Sequence, residues 1–487
     1  MPKGDWGDPP SPTDFPDDWS KKPANGVEAV TKDIAALSTK QQPATPAKEE
    51  EDAADPSLGG DSGEPEASVQ VTLAEGGSAA LYTGVSTFEA LGLRDELLKG
   101  IYSMGYTKPS KIQEKALPLL LSDPPKNMIG QSQAGTGKTA AFALTMLSRV
   151  KPEERVTQAI CLAPARELAV QIMENLKDMG KYTNVTTQLA VRDAVKRGEK
   201  VSAQIVVGTP GTVADLIRKR SIDPSRVCIF VLDEADNMLD LQGLGDQSIR
   251  IKNAMPKDGS CQLVLFSATF TPELREFATR FAPGANEISL KREELSVDGI
   301  KQFYMDCKDE GHKVEVLTAI YGLLTIGQSI IFVRTRRTAD EISRRMNEQG
   351  HSVGLLHGKL EVYARLSHAC AQAADRDTVM KDFRDGKFKV LVTTNVLSRG
   401  IDILQVTLVI NFDMPLDVDM KPDPETYLHR IGRTGRFGRT GVSINFVHND
   451  SSFREMKAIE THFGREIVRV PTDDTMEIES ILKKAVK

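Results

Sequence analysis

From about Thr87 onward, short apolar runs alternate with longer amphipathic segments. AICLAP precedes RELAVQIMENLKDM, CIFVLDEAD precedes a polar stretch, and QLVLFSAT precedes TPELREFATRF. Apolar runs of strand length followed by helix-period segments predict a parallel sheet covered on both faces by helices. The pattern pauses at the polar stretch LKREELSVDG and then restarts, with SIIFVRT, VGLLHG, KVLVTTN, VTLVINFDMP and VSINFVH as strand candidates. The expected fold is therefore α/β, with two tandem parallel-sheet domains over residues 81–290 and 299–487 and a linker at 291–298. Residues 1–80 carry no such pattern.

In open parallel sheets, ligands bind beyond the carboxyl ends of the strands. The polar and glycine-rich clusters follow the apolar runs in just that way: SQAGTGKT, PARELA, DEAD, SAT and TTNVLSRGID. If the two domains face each other, both sets of loops line one cleft. SQAGTGKT fits the phosphate-loop pattern G-x-x-x-x-G-K-[ST], with Ser132 at the first glycine and Gln133, Ala134, Gly135, Thr136, Gly137, Lys138 and Thr139 completing it. Its glycines let backbone N–H groups turn towards phosphates, Lys138 neutralises the β and γ charges, and Thr139 can ligate Mg2+. The helix that follows adds the positive end of its dipole.

The run IFVL delivers Asp233 and Glu234, then Ala235 and Asp236. One strand-end carboxylate can hold Mg2+ and its neighbour can polarise an attacking water. In the second half, HRIGRTGR places His429, Arg430, Arg433 and Arg436 close together, and Arg433 and Arg436 can bracket a γ-phosphate. Because the phosphate loop lies in the first domain, hydrolysis would require the domains to close.

Taken together, GYTKPSKIQ, SQAGTGKT, PARELA, TPG, DEAD, SAT, TTNVLSRGID and HRIGRTGR resemble the ordered motif series of the DEAD-box ATP-dependent RNA helicases. The resemblance covers residues 87 to about 470. It implies two RecA-like domains with ATP between them and RNA held across both. It also implies that Gln113 reads the adenine edge, with Tyr106 stacked on the ring and Phe88 as the upstream aromatic, and that Asp402 meets the ribose. Ser267 and Thr269 would couple hydrolysis to strand separation. Arg166, Thr209, Gly211 and Thr394 would grip the RNA backbone, with weak sequence preference because backbone contacts carry no base information.

DNMLDLQGLGDQSIRIK and FDMPLDVDMKPDPETYLHR are similar to the mRNA-export branch that works at the cytoplasmic face of the nuclear pore. That similarity implies a pore-bound activator with inositol hexakisphosphate, a pore nucleoporin, and a protein shared between cytoplasm and nucleus, acting as a monomer. A translation-initiation or ribosome-assembly helicase, or an RNA clamp that does not hydrolyse ATP, are the alternatives. Two departures from the family pattern stand out: Ala165 replaces the Thr or Ser of PTRELA, and Thr212 follows TPG where many members carry Arg. VYARLSHACAQ, residues 362–372, interrupts the family spacing; it reads either as a surface insertion or as a translated intron.

Composition adds three points. No run approaches the ~20 apolar residues of a membrane span, and the N-terminus has no signal-peptide pattern. Cys161, Cys228, Cys261, Cys307 and Cys370 form no C-x-x-C pair, which fits buried thiols in a reducing compartment. Residues 1–80 hold 6 Lys against 16 Asp and Glu, a net charge of about −10, and the body is left at about +4. Such an acidic, Pro- and Gly-rich tail with few aliphatics cannot bury enough surface to fold alone, so disorder is expected; its two tryptophans, Trp6 and Trp19, hint at a docking motif.

Removing residues 1–80 is expected to strengthen RNA binding at low salt, because the tail competes with phosphates for a basic cleft. A salt titration of RNA affinity checks this: the gain should shrink as salt rises, and no gain at low salt would make the tail a bystander.

Overall fold

The computed structural model describes residues 69–73, 84–132, 135–196, 198–240, 243–290, 299–323, 327–357, 373–395, 406–417, 419–435 and 441–486. Of the two units into which the chain divides, Met1–Ala54 lies outside these residues and Asp55–Lys487 holds everything described below. The expected linker, the 362–372 segment, Asp402 and Arg436 also lie outside them.

In the first half the chain forms β1 (Val69–Thr72), α1 (Asp95–Ser103), α2 (Lys111–Leu120), β2 (Met128–Gln131), α3 (Lys138–Arg149), β3 (Ala159–Leu162), α4 (Arg166–Met179), β4 (Thr187–Ala190), β5 (Ile205–Gly208), α5 (Pro210–Arg218), β6 (Ile229–Leu232), α6 (Ala235–Asp240), α7 (Leu244–Asn253), β7 (Gln262–Ser267), α8 (Pro272–Phe281) and β8 (Asn286–Leu290). Its sheet runs β1-β8-β2-β7-β6-β3-β5-β4, parallel throughout except for β1. The second half forms β9 (Ile300–Asp306), α9 (Glu310–Leu323), β10 (Gln328–Phe332), α10 (Arg336–Glu348), β11 (Val353–Leu356), α11 (Ala373–Arg384), β12 (Val390–Thr393), β13 (Val406–Asn411), α12 (Pro424–Ile431), β14 (Gly441–Val447), α13 (Asp450–Phe463), β15 (Val468–Val470) and α14 (Thr475–Val486). This sheet is all parallel, in the order β11-β12-β10-β13-β14-β9-β15.

The continuous apolar runs follow from burial on both faces. In β3, Ala159 and Cys161 pack into one apolar cluster with α3 and α4, whereas Ile160 and Leu162 enter another beneath α5 and α8. The same alternation in β10 sends Ile331 to one side and Ile330 and Phe332 to the other. Side chains alternate across a strand, so a strand covered on both faces needs apolar residues at every position. Helix starts are set locally: Pro210, Pro272 and Pro424 sit in the first turn, and Thr271, Thr335, Asp423 and Asn449 each accept a backbone N–H.

One expectation is corrected. Val69–Thr72, inside the stretch assigned to the disordered tail, pairs antiparallel with β8 from Val69↔Leu290 to Thr72↔Glu287. Its VQVT alternation places Val71 against the apolar cluster, so the sheet edge recruits the only β-branched alternation at the end of an otherwise polar leader. Among the described residues, no helix is long and apolar enough to cross a membrane.

Gly100 marks where α1 and α4 meet most closely: a Cβ there would lie 2.0 Å from the Met179 carbonyl oxygen. Backbone cannot yield as a side-chain tip does, so Gly100→Ala is expected to destabilise the first domain by about 1–3 kcal/mol. A urea melt should show a lower midpoint with an unchanged slope.

Candidate functional site

Five loops converge at the carboxyl ends of the first sheet, each placed there by the strand before it. β2 ends in the phosphate loop, β3 in Ala163–Arg166, β5 in Thr209, β6 in Asp233 and Glu234, and β7 in Ser267. Gly135 and Gly137 adopt φ of 85° and 94°, left-handed values that glycine alone enters cheaply, and Gly137 is the residue from which α3 starts. The loop is braced from behind by the SKIQ stretch. Ser110 and Gln113 form a capping box on α2, and from that box Ser110 Oγ donates to Thr136 O (2.7 Å) while Gln113 Nε2 donates to Gly137 O (3.0 Å).

This gives Gln113 a role absent from the sequence reading. Its amide is buried and already makes one bond from each end, with one hydrogen and one lone pair left for a base edge. Phe88, the upstream aromatic, is 1% exposed and packs edge-on against Tyr106 (6.4 Å) and Tyr102 (6.5 Å), so it supports Tyr106 from the core.

Lys138 is buried, with Nζ donating to Ser132 O (2.7 Å) and standing 3.7 Å from Glu234 Oε1. Ser132 and Thr136 share a short hydroxyl contact. Glu234 itself has φ 51°, an uncommon backbone state for a non-glycine residue, which costs of order 1–3 kcal/mol and persists only where the surroundings enforce it. Its Oε2 is buried without a hydrogen-bond partner among the described residues. Burial, and after it the charge of Glu234, raises the pKa of Asp233 to about 7. Two buried carboxylates with one orphaned oxygen form an acceptor set short of positive charge, and together with the Thr139 hydroxyl on the first turn of α3 they are hard oxygen donors that suit Mg2+.

Asp236 connects this centre to two other motifs. Its Oδ2 accepts from Thr269 Oγ1 (2.9 Å) and Thr269 N (3.2 Å), its own N–H donates to Ser267 Oγ (3.2 Å), and His429 Nε2 of the second domain lies 3.4 Å from Oδ2. Arg433 is buried one helical turn beyond His429 and donates from Nε to the His429 carbonyl (2.9 Å). Arg430 serves the fold: it is buried over the Phe332 ring and donates to Asn411 Oδ1 (3.0 Å) and Asp413 O (2.8 Å). Gln133, Ala134, Asp402 and Arg436 are outside the described residues.

The residues expected at RNA divide into two groups. Thr209, at the start of α5, donates to Thr212 Oγ1 (3.2 Å), and Gly211 in its first turn is exposed, so both open on the surface at the end of β5. Thr394 follows β12, half-buried. Arg166 instead spends its guanidinium on Asp377 of the second domain, through bonds of 2.7 and 3.1 Å, and on Arg192 O (2.9 Å). Ala165 begins α4 with no side-chain cap, so the hydroxyl missing from the family pattern is also a missing helix cap. Sequence reading missed the Asp236–His429 link and the Arg166–Asp377 pair, because both join segments some two hundred residues apart; the S-x-x-Q spacing signals the capping box at Ser110 but not its bond to Thr136.

Known proteins share both this order and this geometry. The DEAD/DEAH box helicase family matches residues 110–277, and the helicase conserved C-terminal domain matches 312–438. The chain is 62% identical over 403 residues to the ATP-dependent RNA helicase dbp5 of Schizosaccharomyces pombe, covering 83% of this chain and 78% of the relative. A solved structure of S. cerevisiae Dbp5 bound to RNA and ADP BeF3 is 55% identical, covers 83% of this chain and 100% of that one, and overlays with a TM-score of 0.77. Another, of a Dbp5 variant with Nup159, a Gle1 variant, IP6 and ADP, is 54% identical over 81% of this chain and 100% of that one, but overlays at only 0.58. Two RecA-like domains, the full motif order and identity at this level over most of the relative's length leave one assignment: the chain belongs to the DEAD/DEAH box helicase family.

Proposed function

We propose that this chain is an ATP-dependent RNA helicase that hydrolyses ATP in an RNA-stimulated way, opens short duplexes locally and remodels ribonucleoprotein during mRNA export. The observation that carries the reading is the continuous set of contacts from the phosphate loop to the second domain: Lys138 to Glu234 (3.7 Å), Asp236 to Thr269 (2.9 Å) and Asp236 to His429 (3.4 Å). Glu234, Asp236 and His429 each bring one ligand atom within 4.8 Å of the others, which supports a path from the phosphate loop through a water-activating group to one that senses closure. A non-hydrolysing clamp would have no need of the buried, unpartnered Glu234 oxygen.

The chemistry follows from charge and reach. Phosphate oxygens take the place of the Ser132 carbonyl on the Lys138 ammonium, a charge-assisted exchange supported by the left-handed glycines and the start of α3. The Glu234 oxygen is the base that accepts a proton from the attacking water. Arg433, supplied by the second domain, neutralises charge on the transferred phosphoryl group when the domains close, and Arg436 is assigned beside it. Thr139 and Asp233 would hold Mg2+, which supplies charge neutralisation on the β and γ phosphates when bound. Arg166, Thr209, Gly211 and Thr394 hold the RNA backbone, while Tyr106 and Gln113 select adenine and Asp402 meets the ribose. Through Asp236, the Ser267 and Thr269 hydroxyls report on the position of His429, so domain closure and hydrolysis are linked.

A Gle1-like activator with IP6 and a Nup159-like nucleoporin are the partners that the likeness to the Dbp5 complexes supports. Such partners support a location at the cytoplasmic face of the nuclear pore, with cytoplasm and nucleus as its compartments.

Glu234→Gln keeps the shape but cannot accept the proton. RNA-stimulated phosphate release should fall by about a hundredfold or more, with ATP and RNA affinity retained. Turnover at the unmodified rate would remove Glu234 from the mechanism.

A further inference from the structure

Away from the ATP site, the two domains meet along α4 and α11. Arg166 pairs with Asp377 (2.7 Å), Glu167 with Arg376 (2.5 Å) and Glu174 with Arg384 (2.7 Å). The spacing is the same on both helices: two adjacent residues and a third seven or eight positions on, with opposite charges facing at every step. Eight residues of helix span about 12 Å. The inner two pairs form a crossed quartet around the buried Glu167, whose pKa burial raises and the Arg376 charge opposes. The third pair joins the last residue of α11 to the second half of α4 and is more open to solvent.

Geometry decides what each pair can do. Among the described residues, the Asp236–His429 contact and the inner quartet lie at two places on the domain boundary, and a pair of contacts by itself leaves rotation about the line between them. A third contact about two helical turns along α4 and α11 opposes that rotation, and so fixes where the second domain presents Arg433 to the phosphates. Glu174 and Arg384 do this without belonging to any phosphate-binding, RNA-binding or catalytic motif. We infer that Glu174 and Arg384 are positioning residues, the outer pin of an interdomain clasp that couples ATP binding to RNA binding. The inference rests on the helicase reading above. Arg166 is assigned to RNA as well as to the clasp, so the inner pairs cannot separate the two roles; the outer pair can.

The test uses the full chain and a single-stranded oligouridine. RNA affinity is measured with and without ADP-BeF3, alongside RNA-stimulated ATP turnover, for Glu174→Arg, Arg384→Glu, the two combined, and Arg384→Lys. Exposed pairs are individually weak, but reversal replaces attraction with repulsion, so each single reversal should lower RNA affinity with ADP-BeF3 and turnover by about three- to tenfold. Nucleotide-free RNA affinity should not move. The combined swap should recover most of the loss, Arg384→Lys should stay near the unmodified protein, and the defect should shrink at high salt.

The clasp is overturned if the single reversals match the unmodified chain, if the swap is as poor as the two losses combined, or if affinity falls equally with and without nucleotide. An unmodified chain lacking RNA-stimulated turnover would overturn the helicase reading itself, and the clasp with it.

Discussion

The Asp236 carboxylate is the contact on which the working geometry depends. Its oxygen Oδ2 takes two bonds from Thr269 and faces His429 across the domain boundary, while its backbone N–H reaches Ser267. All of these groups are buried or half-buried, where an unmatched charge is costly and a matched one is strongly directional. His429 Nε2 makes no hydrogen bond to Oδ2 but packs against it at 3.4 Å, so a shift of the second domain changes the surroundings of a carboxylate two residues from Glu234. In the proposed mechanism that adjacency carries a change in domain position to Glu234, across the paired strands β6 and β7 beneath it.

Both sheets supply that rigidity in the same way. Their central strands are buried on two faces, so the loops at the carboxyl ends leave a stiff base and carry the polar residues. The cost of holding Glu234 at positive φ is borne by this base. The phosphate loop is handled differently, by bonds from Ser110 and Gln113, which lets the adenine-side motif and the phosphate cradle move as a unit.

Much of this was legible in the chain because its signals are local. Each strand predicted from an apolar run is a strand, most of them, β11 excepted, with four or more successive buried positions that leave few other solutions, and α3, α4 and α8 start where their apolar periodicity does. Strand β1 was misread because four residues of alternation are too short to outweigh eighty residues of acidic context. Arg166 shows the limit most clearly. Its conjunction with Asp377 joins residues far apart in sequence, and two facing charges on separate amphipathic helices look like two solvated surfaces until the domains are brought together.

The central claim is that ATP and RNA act on one shared closure of the two domains. Interdomain distance, read by energy transfer between one dye on α8 and one on α13, tests it in four states: free, with ADP-BeF3, with single-stranded RNA, and with both. The account predicts that the closed distance becomes dominant only when both ligands are present, and that Asp236→Asn reduces its population. Equal closure with either ligand alone, or a distance that does not change among the four states, would contradict it.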